Sequence, residues 1–156
     1  MNHNQKAPTQ LKQITIGKEV DNTMQLLTTH PVKKSDLGTH GNLFGGNLLS
    51  WVDSAIAAYA MEMCHSKNMV TVSIDKCEFK KPAKEGTLVK IYAKLSKVGT
   101  TSAQFDVEAR NYNVFTEEEV CILSTHMTFV RIDDEGGPIP ISETVRRKFN
   151  SPNEKV

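Results

Sequence analysis

One long apolar segment, "GGNLLSWVDSAIAAYAMEM" from Gly45 to Met63, limits what this chain can fold into. From Gly46 to Met63 its apolar residues do not alternate, and the run is too long for a strand. The pattern predicts a helix of roughly 18 residues, about 27 Å long. Because this helix is apolar on almost every side, protein must surround it.

Four segments after this helix alternate between apolar and polar residues, as half-buried strands do. In the first, Val70, Val72 and Ile74 are expected to share one face, and a slip near Asp75 predicts a bulge. The stretch "NTMQLLTTHPV", before the helix, predicts one more strand. The order β-α-β-β-β-β predicts an α+β fold, in which an antiparallel sheet of five to six strands wraps one central helix. Its open edges predict that two copies dimerise through the sheet.

The composition fits one globular domain without a membrane anchor. The chain has 156 residues and a net charge of +1, which gives no support for nucleic-acid binding. Its three cysteines show no CxxC spacing, so neither a metal site nor a disulfide framework is predicted. No signal peptide or membrane-length apolar run is visible, so a cytoplasmic location is expected. We expect a flexible arm at 1–20, a domain at 21–142 and a C-terminal tail at 143–156.

Asp53 is a carboxylate in the middle of the apolar helix. An unpaired charge in an apolar setting is costly, so either the helix turns Asp53 toward water or a structural hydrogen bond, or the burial serves chemistry. A carboxylate can act as general base or as nucleophile, and the N–H groups at a helix start can stabilise a developing oxyanion. Gly45 and Gly46, at the predicted helix start, allow a substrate to approach the backbone closely.

The stretch "DLGTHGNLFGGNLLSWVD", followed by "VTVSIDKCEFKKPAKEGTLV" and "KVGTTS", resembles the hotdog-fold acyl-CoA thioesterases. The resemblance is closest to the branch with the bacterial YciA-type enzymes and brain acyl-CoA hydrolase. It implies hydrolysis of acyl-CoA to a free acid and coenzyme A, with no separate cofactor and with active sites at a dimer interface. Many members of this family are homohexamers, built as trimers of dimers.

The resemblance also implies roles for individual residues. Asp53 maps onto the acidic residue that drives hydrolysis, and Gly46, with Gly45, maps onto the backbone N–H groups that polarise the thioester carbonyl. The turn formed by Gly99, Thr100, Thr101 and Ser102 maps onto the turn that holds coenzyme A. Lys97 and Lys81 are expected to meet its phosphates.

One position departs from the pattern of the family. Close relatives carry an asparagine shortly after the aspartate of the turn, and here Gly38 stands at that place in "DLGTHG". Either His40 or Asn42 supplies the missing group, or the helix N-terminus suffices. From residue type alone, His40 fits a turn residue, and Asn42 fits either turn chemistry or a substrate contact.

Two other functions compete with the hydrolase. The hotdog fold also serves proteins that bind acyl-CoA without cleaving it, and fold does not fix function. Hotdog hydratases are the third possibility; they carry an acid–histidine pair near the helix start, which His40 matches only weakly. The sequence does not decide the preferred acyl chain length, nor whether Asp53 acts as base or nucleophile.

Overall fold

The computed structural model describes residues 23–151 of the chain. In this range, five antiparallel strands form one sheet: β1 (Gln25–Pro31), β2 (Met69–Phe79), β3 (Leu88–Val98), β4 (Ser102–Tyr112) and β5 (Glu119–Arg131). The helices are α1 (Gly45–Cys64), α2 (Glu143–Asn150) and a short 3₁₀ helix (Lys34–Asp36). The predicted order of strands around one long helix is confirmed.

The core lies between α1 and one face of the sheet. The strand order is β1-β3-β4-β5-β2, and α1 contacts β1, β2, β3 and β4. Val52 and Ile56 of α1 are completely buried, as are Phe105 of β4 and Phe129 of β5. The two phenyl rings meet edge to face, with centroids 5.8 Å apart. The sheet therefore wraps the helix as the sequence predicts.

The edge strand β2 contains two irregularities rather than the predicted one. The bulge near Asp75 is confirmed by a register shift and by the positive φ of Lys76, 48°. A second shift lies between Thr71 and Ser73. It pairs Val70 with Val130 but Ile74 with Met127, and residues three apart on β5 point to opposite faces. The prediction that Val70 and Ile74 share one face is therefore wrong.

The segment treated as a C-terminal tail contains a helix that the sequence analysis does not predict. Ser142 accepts a hydrogen bond from the Val145 N–H and so caps α2, while Ile141 and Val145 are buried in the core. At eight residues, α2 is too short for its apolar periodicity to stand out in the sequence. The arm predicted at 1–20 and the last five residues of the tail lie outside the described residues.

The open edge of β2 is unusually apolar for a solvent-facing strand. Val72 and Phe79 are 55% and 53% exposed, and Ile74 is also exposed. An unpaired edge with apolar side chains is a surface for strand pairing.

Within the described part of the chain, neither α-helix combines the length and hydrophobicity needed to cross a bilayer.

Candidate active site

The loop before α1 is fixed by backbone hydrogen bonds. A turn runs from Gly38 to Gly41, whose N–H donates to the Gly38 carbonyl and whose φ of 74° suits glycine. The Asp36 carbonyl accepts bonds from the Phe44 N–H at 2.9 Å and from the Asn47 side chain at 3.1 Å. These contacts hold the start of α1 in place.

The first N–H groups of α1 remain available to a ligand. Phe44 is the N-cap residue and its side chain accepts no bond, while the first intrahelical bond is donated by the Leu48 N–H. The N–H groups of Gly45, Gly46 and Asn47 therefore precede the hydrogen-bonded part of the helix. Together with the helix dipole, they favour a negative charge at this point.

A cleft of about 270 Å³ opens beside this helix start. We call it the helix-start cleft, and it is lined by Asn42, Leu43, Gly45, Leu48, Phe79, Lys80, Lys81, Pro82, Ala83 and Ile122. Of the residues predicted for the site, Asn42 and Lys81 lie in it, and Gly46 follows Gly45 in the same helical turn. His40 is exposed in the preceding turn and does not line the cleft.

Asp53 lies on the flank of α1, half-buried beside the edge strand β2. The Thr71 hydroxyl, on β2, donates a hydrogen bond to Asp53 Oδ1 at 2.7 Å. The carboxylate is therefore neither free in water nor unpaired in the core. Thr71 is not among the site residues predicted from the sequence, although it is a polar residue within the alternating segment that follows the helix. Its pairing opposite the buried Phe129 places it on the helix-facing side.

The turn predicted to hold coenzyme A lies at the other end of α1. The Thr101 carbonyl accepts a bond from the Arg131 N–H, and Arg131 pairs with Met69 at the start of β2, just after α1 ends. Gly99 and Ser102 close the turn through a backbone bond of 2.8 Å, with Lys97 exposed before it. A 20-residue helix spans about 30 Å, so one chain does not bring this turn to Gly46.

The outer face of the sheet has its own polar group. His126 Nδ1 lies 2.6 Å from Asp106 Oδ1, beside a second cleft of about 270 Å³ that contains none of the predicted site residues. Since α1 covers the opposite face, this pair is remote from Asp53.

Among residues 23–151, no three His, Cys, Asp or Glu side chains converge as a metal site would require.

Comparison with known proteins identifies the family. Residues 40–114 match the family model described as the thioesterase superfamily. The chain is 31% identical over 127 residues to the acyl-CoA thioester hydrolase YciA of Salmonella typhimurium, and the alignment covers 78% of this chain and 95% of that protein. The chain belongs to the thioesterase superfamily.

Solved structures confirm the hotdog fold of this thioesterase. A hexameric hotdog-fold thioesterase of Campylobacter jejuni superposes with a TM-score of 0.70 at 33% identity, covering 79% of this chain and 94% of that one. An acyl-CoA hydrolase from Staphylococcus aureus, solved in complex with butyryl coenzyme A, coenzyme A and coenzyme A disulfide, gives 0.68 at 31% identity, covering 78% and 77%. The predicted family and fold are confirmed; the roles of individual residues stay predictions.

Proposed function

We propose that this thioesterase hydrolyses acyl-CoA to a free acid and coenzyme A, with Asp53 as the catalytic carboxylate. The observation that carries the proposal is the hydrogen bond from Thr71 to Asp53, which fixes a half-buried carboxylate on an apolar helix. Such a fixed and partly desolvated acid suits proton transfer or nucleophilic attack. The family relationship supports the same chemistry, because YciA carries the name of an acyl-CoA thioester hydrolase.

The reaction needs attack on the thioester carbon and stabilisation of charge on its oxygen. As general base, Asp53 takes a proton from the attacking water; as nucleophile, it forms an anhydride that water then opens. In both routes the N–H of Gly46 donates to the carbonyl oxygen as it becomes negative. In the base route the C–S bond breaks after water has added to the carbonyl, and in the nucleophile route it breaks as the anhydride forms, before water opens it. Coenzyme A leaves as the thiolate and takes a proton, and the acyl group is released as the acid.

Two copies of the chain are needed to assemble this site. Gly46 and Asp53 are seven residues apart on one helix, which separates them by roughly 10 Å along its axis. That distance is too large for both to act on one thioester carbonyl. Asp53 flanks the open edge of β2, so antiparallel pairing of β2 with its copy in a second chain brings the helix start of one chain toward Asp53 of the other.

The same pairing explains how coenzyme A is held. Gly45 lies beside Phe79 at the end of β2, whereas Thr101 lies beside Arg131 at its start. An antiparallel copy of β2 therefore brings the turn at 99–102 of one chain toward the helix start of the other. There the turn, Lys97 and Lys81 surround the coenzyme A moiety. We further propose a homohexamer of three such dimers, located in the cytoplasm and working without a cofactor; the Campylobacter relative is also hexameric.

Neither competing function gains a specific contact in the structure. A hydratase needs an acid–histidine pair near the helix start, and among the described residues His40 has no carboxylate partner. The pair formed by His126 and Asp106 lies on the other face of the sheet. A sensor that only binds acyl-CoA has no use for a carboxylate held at 2.7 Å by a hydroxyl.

The direct test is thiol release from acetyl-, butyryl-, hexanoyl- and palmitoyl-CoA by the wild type and Asp53→Asn. We expect turnover in the wild type and a loss of about 10²–10⁴-fold in the variant, the size of a general acid–base contribution. The melting temperature and sedimentation of the variant should match the wild type. If both proteins bind acyl-CoA and neither releases thiol, the protein is a binder and Asp53 is structural.

A mixing experiment tests whether the site is shared. Gly46→Val places a branched side chain at the helix start, where even a Cβ lies 2.5 Å from the Phe44 ring and displaces it. Each variant alone is expected to be inactive. When Asp53→Asn and Gly46→Val are co-expressed, about half of the dimers are mixed and one of their two sites is intact, so activity returns to about one quarter of wild type. A mixture as inactive as its components would show that both groups act from one chain.

A further inference from the structure

The helix α2 is joined by hydrogen bonds to the turn at residues 99–102 and to the strand before it. Directly before the N-cap residue of α2, the Ile141 N–H donates to the Thr100 carbonyl at 2.8 Å. At the other end of the helix, the Asn150 side chain donates to the Val98 carbonyl at 3.4 Å. Because α2 is attached at both ends, its side chains lie beside the turn proposed to hold coenzyme A.

Two arginines bind the short segment that precedes α2. Arg131 Nη1 donates to the Pro140 carbonyl at 2.8 Å, and Arg146 Nε donates to the Ile141 carbonyl at 2.9 Å. Because these carbonyls belong to successive residues, both guanidinium groups lie at the same segment. The backbone N–H of Arg131 also donates to the Thr101 carbonyl at 2.9 Å. The two cations therefore lie next to the turn.

The charges of Arg131 and Arg146 are not compensated by a carboxylate of the described chain. Across residues 23–151, neither side chain takes part in an ion pair. Arg131 Nε is also buried without a hydrogen-bond partner in this range. The next arginine of α2, Arg147, differs because it pairs with Glu143. Two uncompensated guanidinium groups, one of them with a buried unbonded donor, favour a phosphate as their ligand.

The two arginines lie at different distances from the open edge of β2. Arg131 belongs to β5, which pairs with β2, whereas Arg146 belongs to α2, whose far end bonds to β3. In the strand order, β3 lies two strands beyond β5, about 10 Å further from the edge. The proposed dimer brings the helix start of the second chain, and with it the thioester, to this edge. An extended coenzyme A therefore reaches Arg131 before Arg146.

We propose that Arg146 binds the ribose 3′-phosphate of coenzyme A, with Arg131 facing the diphosphate. In coenzyme A the diphosphate stands between the pantetheine arm and the ribose. The 3′-phosphate lies beyond it, at the end opposite the thioester, so the order of the phosphates matches the order of the two arginines from the edge. Arg146 uses its Nε for the Ile141 carbonyl, and the other N–H groups of its guanidinium remain for the phosphate.

This inference rests on the proposed function, because that function places the thioester at the edge of β2. It assigns a substrate contact to a residue outside the part of the chain that matches the thioesterase family model, residues 40–114. It also predicts a property that hydrolysis alone does not require. The protein should prefer thioesters of coenzyme A to thioesters of dephospho-coenzyme A, which lacks only the 3′-phosphate.

Paired substrates test the assignment in the wild type, Arg146→Gln and Arg147→Gln. We expect kcat/KM of the wild type to be about 10-fold higher for hexanoyl-CoA than for hexanoyl-dephospho-CoA, because the second lacks the charge-assisted hydrogen bond. Arg146→Gln should bring this ratio close to one, whereas a structural role alone would lower kcat/KM equally for both. Arg147→Gln removes the same charge from a pair with Glu143 and should keep the wild-type ratio. A wild type without the preference, or Arg146→Gln with it, overturns the proposal.

Titration calorimetry with nucleotides tests the phosphate site without hydrolysis. Adenosine 3′,5′-bisphosphate should bind the wild type and Arg147→Gln about 10-fold more tightly than adenosine 5′-monophosphate, and Arg146→Gln should bind both equally. The difference should shrink at 1 M NaCl, where the Debye length is about 3 Å. Intact nucleotide preference without thiol release would refute the proposed hydrolysis and support the phosphate site. Thiol release by a wild type that binds both nucleotides equally would refute the phosphate site alone.

Discussion

Replacing Thr71 with valine isolates the contact on which the proposed mechanism depends. Valine has nearly the same shape as threonine but removes the hydroxyl that donates to Asp53 Oδ1 at 2.7 Å. A hydrogen bond to a charged group contributes about 1.5–3 kcal/mol, so losing the one that orients the catalytic carboxylate should lower kcat by about 10- to 150-fold. In the proposed mechanism Thr71 is a positioning residue, because it acts through Asp53 and not on the substrate.

The assay is steady-state thiol release, with kcat and KM determined separately for the wild type, Thr71→Val and Thr71→Ser. KM should change little in either variant, because the binding surfaces remain. Thr71→Ser keeps a hydroxyl and should recover most of kcat, which a purely steric role of the methyl group would not explain. A wild-type kcat in Thr71→Val, or equal losses in both variants, would refute the reasoning.

Three further predictions concern stability. Phe105→Ala should lower the free energy of unfolding by about 3–5 kcal/mol in urea titrations, since this ring is completely buried. Burial, then the hydrogen bond and charge of Glu119, raise the pKa of Tyr92 from 10.0 to about 12. Between those two pH values the unfolded chain releases the Tyr92 proton and the folded chain keeps it, so the free energy of unfolding falls as pH rises. In urea titrations at about pH 9 and 11, Tyr92→Phe should therefore lose less of its free energy of unfolding than the wild type does. Gly41→Ala should cost about 1–2 kcal/mol in the same titration, because φ at Gly41 is positive.

The sequence predicts the large elements well because their patterns are local. An apolar run of 18 residues without alternation can only be a helix, because it is too long for a strand. The observed α1 differs from the predicted helix only by Gly45 and Cys64 at its ends. Alternation likewise predicts the buried faces of β3, β4 and β5. The register shift between Thr71 and Ser73 is different, because it depends on how β2 pairs with β5 and leaves no local mark in the sequence.

The candidate site could be predicted only in part for a related reason. Asp53 is visible because a charge in an apolar helix contradicts the pattern around it. Thr71 is not, because a threonine is ordinary in a strand and its role comes from a contact 18 residues away in sequence. The separation of Gly46 from the turn at 99–102 follows from α1 running the length of the sheet, which motif spacing alone does not give.

The position of Asp53 and the apolar edge of β2 are linked, because pairing at that edge would change the surroundings of the carboxylate. The half-buried carboxylate is tolerable in a single chain because it lies at an open edge and accepts a bond from Thr71. Val72 and Ile74 leave that same edge exposed and apolar. When a second copy covers the edge, water is excluded from around Asp53 and its hydrogen bond strengthens in the lower dielectric. In the proposed dimer, pairing therefore does more than bring two half-sites together, because it also changes the environment of the proposed catalytic carboxylate. If the proposed site is shared, a chain held monomeric is expected to lack thioesterase activity although all of its residues are in place.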